Sequence, residues 1–505
     1  MRQLGRVLVA NRGEIAVRVL RACREAGLPT ATVFSAADRG SPHVWLADRG
    51  VEIGPAPARV SYLDVERILD AAREVEAGSV HPGYGFLAEN AEFAEAVEAA
   101  GLVWIGPPAS AIRAMGEKTA ARRAMDAVGV PVIPGTLDPL GDAEAALTAA
   151  GRAGYPVLLK AVAGGGGKGM RVVAGADEMP GAFRAASSEA AGAFGDPAVY
   201  LERYLPEARH VEIQVLADHR GRAIHLGERE CSLQRRHQKV LEEAPAPDLG
   251  PGLRERIGEV AVRAAEAVGY AGAGTVEFLL GPDGSFWFLE MNTRLQVEHP
   301  VTECVTGIDL VRAQLAIAAG GPLPLQQDEL VLTGHAIECR IAAEDPARGF
   351  LPATGRIAAY SEPGGPGVRV DSGVRAGTEV TPHYDPLLLK LVVHGRDRDE
   401  ALDRMSRALA ELEIVGVTTN IGFQRALVAH PDVRAGAVHT RWLEARADEI
   451  VEMAAAMRGE TEPLAAALAA WRQVEEGAAP ALELSAGRRD GDTRWRSAAR
   501  WTGLP

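Results

Sequence analysis

Apolar residues fall along this chain in runs and periods that define successive elements. Gly5-Arg6-Val7-Leu8-Val9-Ala10 is an apolar strand, and Asn11-Arg12-Gly13-Glu14 is a turn. Ile15 to Ala26 repeats its apolar side chains at helical spacing, Gly27 stops it, and Thr30 to Phe34 is the next strand. Helical periods at Tyr62 to Glu76 and Asn90 to Ala100 alternate with strands at Gly78 to Val80 and Val103 to Ile105, which predicts an open parallel sheet. A linking helix from Ser110 to Val128 ends at Gly129-Val130-Pro131.

Beyond Pro131 the pattern changes. Tyr155 to Ala163 leads as a strand into Gly164-Gly165-Gly166-Gly167-Lys168-Gly169, and Met170 to Val173 is again strand-like. Strands follow at Val199 to Glu202, Val211 to Leu216 and Ala223 to Leu226, then a helix from Leu253 to Val268 and a hairpin over 274–291. Residues 331–445 read as a third α/β unit, and an Ala-rich helical tail carries Trp471, Trp495 and Trp501 among arginines. The expected division is 1–114, 115–330 with a lid at about 132–204, 331–445, and a tail at 446–505.

The glycine loop formally fits the dinucleotide fingerprint, but that fingerprint opens a helix and here a strand follows. Lys168 precedes Gly169 rather than Ser or Thr, so it is not a Walker loop either. A strand–glycine–strand hairpin suits a flap laid over nucleotide phosphates, with Lys160 as a point charge beside it. In the later hairpin, a two-residue turn at Asp283-Gly284 places Glu277 opposite Glu290, with Asn292 on the same face. Two carboxylates and an amide oxygen on one face are a donor set for magnesium held against phosphates.

Composition narrows the class. The 505 residues exceed what one core normally holds, about 250–300. A formal charge of −14 argues against a nucleic-acid partner, and no apolar run reaches the roughly 20 residues of a membrane helix. Four dispersed cysteines (Cys23, Cys231, Cys304, Cys339) without a CxxC pair fit reduced thiols in a cytoplasm, with Cys231 read as a packing residue.

In order along the chain stand Gly-Glu-Ile-Ala at 13–16, His81-Pro82-Gly83-Tyr84-Gly85-Phe86-Leu87, the glycine loop, Arg235-Arg236-His237-Gln238-Lys239, Glu290 to Pro300 (EMNTRLQVEHP) and Glu338-Cys339-Arg340. Together they closely resemble the biotin carboxylase component of biotin-dependent carboxylases. The resemblance implies an α/β ATP-grasp enzyme with an N-terminal Rossmann-like open parallel sheet, a glycine-flap lid and a C-terminal α+β domain. It implies a ligase that uses ATP and Mg2+ (or Mn2+) to carboxylate biotin with bicarbonate through carboxyphosphate, the first half-reaction of an acetyl-CoA or acyl-CoA carboxylase.

The resemblance also implies roles. Lys118, Lys160, Gly166, Gly167, Glu202, Leu205, His210, Gln234, His237, Glu277 and Glu290 would surround ATP. Glu277, Glu290 and Asn292 would hold the metal, and Lys239, Arg294, Gln296 and Val297 bicarbonate. Arg294, Glu298 (the base), Lys239 and Arg340, which faces biotin, would be catalytic. No Met-Lys-Met acceptor occurs, so biotin is expected as a substrate on a separate carrier protein. The expected partners are that carrier, carboxyltransferase subunits and a second copy or more of this chain. The stretch around 371–393 looks more like acyl-CoA carboxylase α-chains than the stand-alone bacterial subunit.

Overall fold

The computed structural model describes residues 3–162 and 169–459. Its N-terminal sheet has five parallel strands in the order Arg49–Glu52, Thr30–Phe34, Arg6–Val9, Ala77–His81 and Val103–Trp104. Successive side chains of Arg6–Val9 point to opposite faces, and both faces are covered. Val7 and Val9 pack with Ile15, Val19 and Leu20 of the helix Gly13–Glu25, while Leu8 packs with Ile68, Phe93 and Val97 of helices Val65–Glu74 and Ala91–Ala99. Burial on both sides is why this strand reads as an unbroken apolar run.

The single helix expected from Ser110 to Val128 is two helices, Ala109–Gly116 and Lys118–Ala127. Glu117 sits between them in extended backbone, and its carboxylate accepts from the N–H groups of Thr119 and Ala120. A new helix start takes up otherwise unpaired amides in this way, and it sets Lys118 at the first helical position.

Met170–Val173, Val157–Ala161 and Val199–Arg203 form a separate antiparallel sheet, in that order. Helices Ala143–Ala153 and Met179–Phe194 cover it and share a core with Val157, Leu159, Val173 and Leu201. Strands therefore flank the glycine loop on both sides, as the sequence predicts. Gly166 and Gly167 lie outside the described residues.

The remaining sheet has eight antiparallel strands: Phe286–Asn292, Gly272–Leu280, Arg209–Ala217, Ala223–Arg235, Gln238–Ala244, His335–Ala342, Leu387–Gly395 and Val368–Ser372. It runs through the 331–445 segment without a break, because Gln238–Ala244 pairs with His335–Ala342. The strand expected to end at Leu226 continues to Arg235, past a register shift at Gly227, where φ is 82°. The charged residues beyond that bulge are buried and paired, which hid their strand character. One face of the sheet packs Val211, Ile213, Val276, Phe278 and Phe288 against the helix Pro251–Ala267. The last described element is the helix Trp442–Gly459, so the tail tryptophans lie outside the described residues. Among the described residues no helix is long and apolar enough to cross a membrane.

Candidate active site

The hairpin pairs Thr275 with Asn292, Val276 with Met291 and Glu277 with Glu290. That is the register a two-residue turn predicts, reached by a different route. The loop extends from Gly281 to Ser285, closed by a 2.7 Å bond from Gly281 N to Ser285 O, and Phe278 therefore pairs with Phe288, one step off. A bulge at Leu289 restores the register before Glu290.

On the other side of Gly272–Leu280, Glu212 lies opposite Glu277, and Arg229 lies opposite Glu212. Directly paired residues share a face, so Arg229, Glu212, Glu277 and Glu290 form one row across four strands. His210 and Leu279 flank the row on one side, and Gln214, Thr275 and Asn292 on the other.

Three carboxylates at strand spacing repel one another, and the structure answers with cations. Arg229 and Lys239 both bond Glu212. Lys239 Nζ also donates to Glu277 at 3.0 Å and to Glu298 at 2.6 Å. Glu277 Oε1 accepts from Asn292 (2.9 Å) and Gln296 (3.0 Å), and Oε2 lies 3.1 Å from His210 Nε2. Burial alone would raise the Glu277 carboxyl, but Lys239 and His210 outweigh it and hold it well below the usual range. Glu290 is half-buried and has no hydrogen-bond or ion-pair partner among the described residues. A carboxylate with no direct partner beside Glu277, with Asn292 close by, fits a divalent cation bound by oxygen donors.

A cavity of about 420 Å³ opens between this sheet and the three-stranded one. Lys160, Glu202, Leu205, His210, Gln234 and His237 line it, with Leu279 and Leu289. Lys160 and Arg122 clamp the buried Glu202 at 2.8 and 2.6 Å. Gln234 Nε2 is 2.8 Å from His210 Nδ1. His237 is carried by a tight turn whose two residues, Arg236 and His237, have φ of 49° and 62°. Side chains seldom adopt that backbone, so the strain here aims an exposed imidazole at the cavity rim. Lys118, Glu277 and Glu290 are not part of this lining; burial and Lys160 push the Lys118 ammonium below its usual value.

A second cavity of about 510 Å³ is lined by Arg294, Val297, Arg340, Glu14, Tyr84 and Tyr384, among others. Arg294 Nη1 donates to Gln296 (2.7 Å), Nη2 to Asn292 (2.9 Å) and Nε to Glu89 (2.9 Å). Arg340 Nε bonds Glu242 at 2.6 Å and Nη2 bonds Glu298 at 3.0 Å. Burial would raise Glu298, but Lys239, Arg340 and Arg229 keep it well below the carboxylate range. His210, Glu277, Lys239, Glu298 and Arg340 thus connect one cavity to the other by direct contacts. Cys231, beside this chain, has its thiol pushed well above the usual value by burial and by Glu212, as befits a packing residue.

Family profiles agree with this layout. One described as biotin carboxylase, N-terminal domain, matches residues 3–112; carbamoyl-phosphate synthase L chain, ATP binding domain, matches 117–326; biotin carboxylase C-terminal domain matches 338–445. A biotin carboxylase of Nostoc sp. is 52% identical over 439 residues, 87% of this chain and 98% of its own length. The chain belongs to the biotin carboxylase family. A pyruvate carboxylase subunit of Methanothermobacter thermautotrophicus is equally similar, at 52% over 440 residues, 87% of this chain and 89% of its own. Among solved structures, a Campylobacter jejuni biotin carboxylase complexed with β,γ-ATP gives a TM-score of 0.85 at 45% identity, covering 88% of this chain and 99% of that one. The biotin carboxylase domain dimer of Hydrogenobacter thermophilus 2-oxoglutarate carboxylase, with MgADP and bicarbonate, gives 0.85 at 46% identity, covering 88% and 98%. Family and fold are therefore those of an ATP-grasp carboxylase ligase.

Motif reading missed Glu212, Glu242, Glu89, Arg229 and Arg122. A signal for Glu212 was present: His210, Glu212 and Gln214 alternate with Val211, Ile213 and Val215, the pattern of a strand with one polar and one core face.

Proposed function

We propose that this chain uses ATP to carboxylate biotin with bicarbonate, as the first half-reaction of an acetyl-CoA or acyl-CoA carboxylase. The observation that carries the reading is the bridge of Glu277, Lys239, Glu298 and Arg340 between two cavities. ATP occupies the first, over Lys160, Glu202, Leu205, His210, Gln234 and His237, together with Lys118, and with Gly166 and Gly167 as the flap. Biotin enters the second, its ureido end toward Arg340. Bicarbonate lies between, on Lys239, Arg294, Gln296 and Val297.

Glu277, Glu290 and Asn292 would hold Mg2+ (or Mn2+), which when bound neutralises charge on the nucleotide's phosphates. Glu298 takes the bicarbonate proton as that anion attacks the γ-phosphorus and ADP leaves, giving carboxyphosphate. Its depressed pKa keeps it ionised, and it becomes an effective base only as Lys239 turns to the bicarbonate anion and Arg340 to biotin. Carboxyphosphate splits into CO2 and phosphate, the phosphate takes the ureido N–H proton of biotin, and that nitrogen attacks the CO2. Arg294's planar fork suits a carboxylate-shaped anion, and Arg340 supplies a fixed cation for the biotin enolate.

The reading extends to a separate biotin carboxyl carrier protein, carboxyltransferase subunits, a homodimer or larger complex, a cytoplasmic setting and a place in fatty acid biosynthesis. The functional units are 1–114, 115–330 and 331–445, with 446–505 as a docking tail. The rice methylcrotonoyl-CoA carboxylase α-subunit, 50% identical over 470 residues, supports an acyl-CoA carboxylase context. ATP hydrolysis assayed with bicarbonate and biotin present or omitted tests the reading: turnover must require bicarbonate and rise with free biotin. Glu298→Gln must abolish it while nucleotide affinity is kept.

A further inference from the structure

The described residues hold a second buried charge cluster that the reaction as proposed leaves unused. Lys390, on Leu387–Gly395, is fully buried and stands between Arg340 on one neighbouring strand and Asp371 on the other. Its ammonium donates to the carbonyl of Val297 at 2.7 Å and lies 3.3 Å from Glu14 Oε2 and 4.0 Å from Asp371 Oδ2. Removing an ammonium from water costs several kcal/mol, so a buried lysine calls for a reason. Neutralising Asp371 is not enough of one, because Arg369 already grips that carboxylate at 3.0 and 2.7 Å. Besides facing Glu14, Lys390 gives a hydrogen bond to the Val297 carbonyl, which no other described side chain holds.

That carbonyl belongs to the short turn between Phe286–Asn292 and the helix His299–Thr306. Side chains hold its carbonyls one after another: Arg294 Nη1 bonds Leu295 O at 3.3 Å, His299 Nδ1 lies 2.8 Å from Gln296 O, and Lys390 takes Val297 O. The Val297 oxygen shares a rigid peptide plane with the backbone nitrogen of Glu298, so fixing one orients the other. Glu14 steadies the ammonium from the wall of the second cavity, where it also accepts from the Tyr84 hydroxyl.

We propose that Lys390, steadied by Glu14, is a positioning residue that fixes the Val297–Glu298 peptide and so keeps the Glu298 carboxylate between Lys239 and Arg340. The inference rests on the role given to Glu298 above. Lys390→Met keeps the side-chain length and removes the donor. With bicarbonate and biotin saturating, its kcat should fall about ten- to a hundredfold, the cost of a displaced reacting group. The KM for ATP should stay within about twofold, since uniform binding is untouched. Lys390→Ala should regain turnover when ethylamine is added, which a lysine needed only for stability would not permit. Wild-type kcat in Lys390→Met overturns the proposal, as does a loss matched by an equal loss of ATP-binding sites without amine rescue. Should neither Lys390 variant fold, Glu14→Gln decides: kcat lowered at least about threefold at unchanged KM for ATP upholds the proposal, and wild-type kcat overturns it. A wild-type chain without bicarbonate-dependent turnover sinks the parent reading as well; turnover shared equally by wild type and variants sinks this inference alone.

Discussion

Glu298 is asked to accept a proton while fully buried between two cations, and removing one of them puts that arrangement to the test. Arg340 Nη2 stands 3.0 Å from Glu298 Oε2. An arginine so placed lowers a carboxyl by about one to three pKa units, or about 1.4–4 kcal/mol in favour of the ionised form. Arg340 also holds Glu242, which burial pushes up to about 7, and acts on the buried Glu338, so Arg340→Gln alone would move more than the Glu298 carboxyl. The cleaner comparison is Glu242→Gln against Glu242→Gln/Arg340→Gln. The assay is bicarbonate-dependent ATP hydrolysis without biotin, with kcat/KM for bicarbonate followed across pH, since that ratio reports groups of the free enzyme. Glu298 acts ionised, so the ratio falls as pH drops through its pKa, and a raised pKa moves that fall to higher pH. The double variant should therefore lose activity at a pH about one to three units above the single variant. Superimposable acid limbs would show that Arg340 does not hold Glu298 ionised, and the account of how this base is released would fail.

Glu202→Gln leaves Arg122 and Lys160 buried without their carboxylate, so unfolding in urea should show a loss of about 3–5 kcal/mol, together with weaker ATP binding. Chelating divalent ions with EDTA should stop ATP turnover reversibly. Glu290→Gln should raise the Mg2+ needed for half-maximal rate by at least about tenfold, a cost that even outer partners of a metal site impose. Burial raises Glu14 from an ordinary 4.5 to about 7, against the pull of Lys390. Stability from its protonated form is present below the lower value and lost as pH rises through the upper one, about 3 kcal/mol in all. Glu14→Gln should accordingly raise Tm more at alkaline than at acidic pH; a pH-independent difference in Tm would count against this.

The parts of the fold legible in the sequence were those whose burial is simple. A strand covered on both faces is an apolar run, and a helix covered on one face has a period, so four of the five N-terminal strands followed from residues 5–105; the largely exposed edge strand Arg49–Glu52 did not. The break at Glu117 was not visible, because a carboxylate turned back to cap a helix reads like one exposed on a continuous helix. The hairpin is the subtler case. Its expected register was right only because the longer loop and the bulge at Leu289 shift the pairing in opposite senses. Parity arguments survive such pairs of errors; turn assignments do not.

At the site, described residues of the recognised motifs lie around the two cavities, but their partners come from strand positions outside those motifs. Arg229, Glu242 and Lys390 are charged residues among other charged or apolar ones, and the default reading of such positions is a solvated face. Burial reverses that reading, and only the sheet order reveals it. Once Arg209–Ala217 lies beside Gly272–Leu280, Glu212 must meet Glu277, and two adjacent buried carboxylates require cations from somewhere. The nearest are Lys239 and Arg229, which the sequence places on different strands joined through the Arg236-His237 turn. The electrostatic demand of one strand pair is thus met by a neighbouring hairpin. Lys239 therefore touches three carboxylates at once; in the proposed reaction it would be drawn toward the incoming anion while Arg229 still holds Glu212, so the row would not come apart as Glu298 is released.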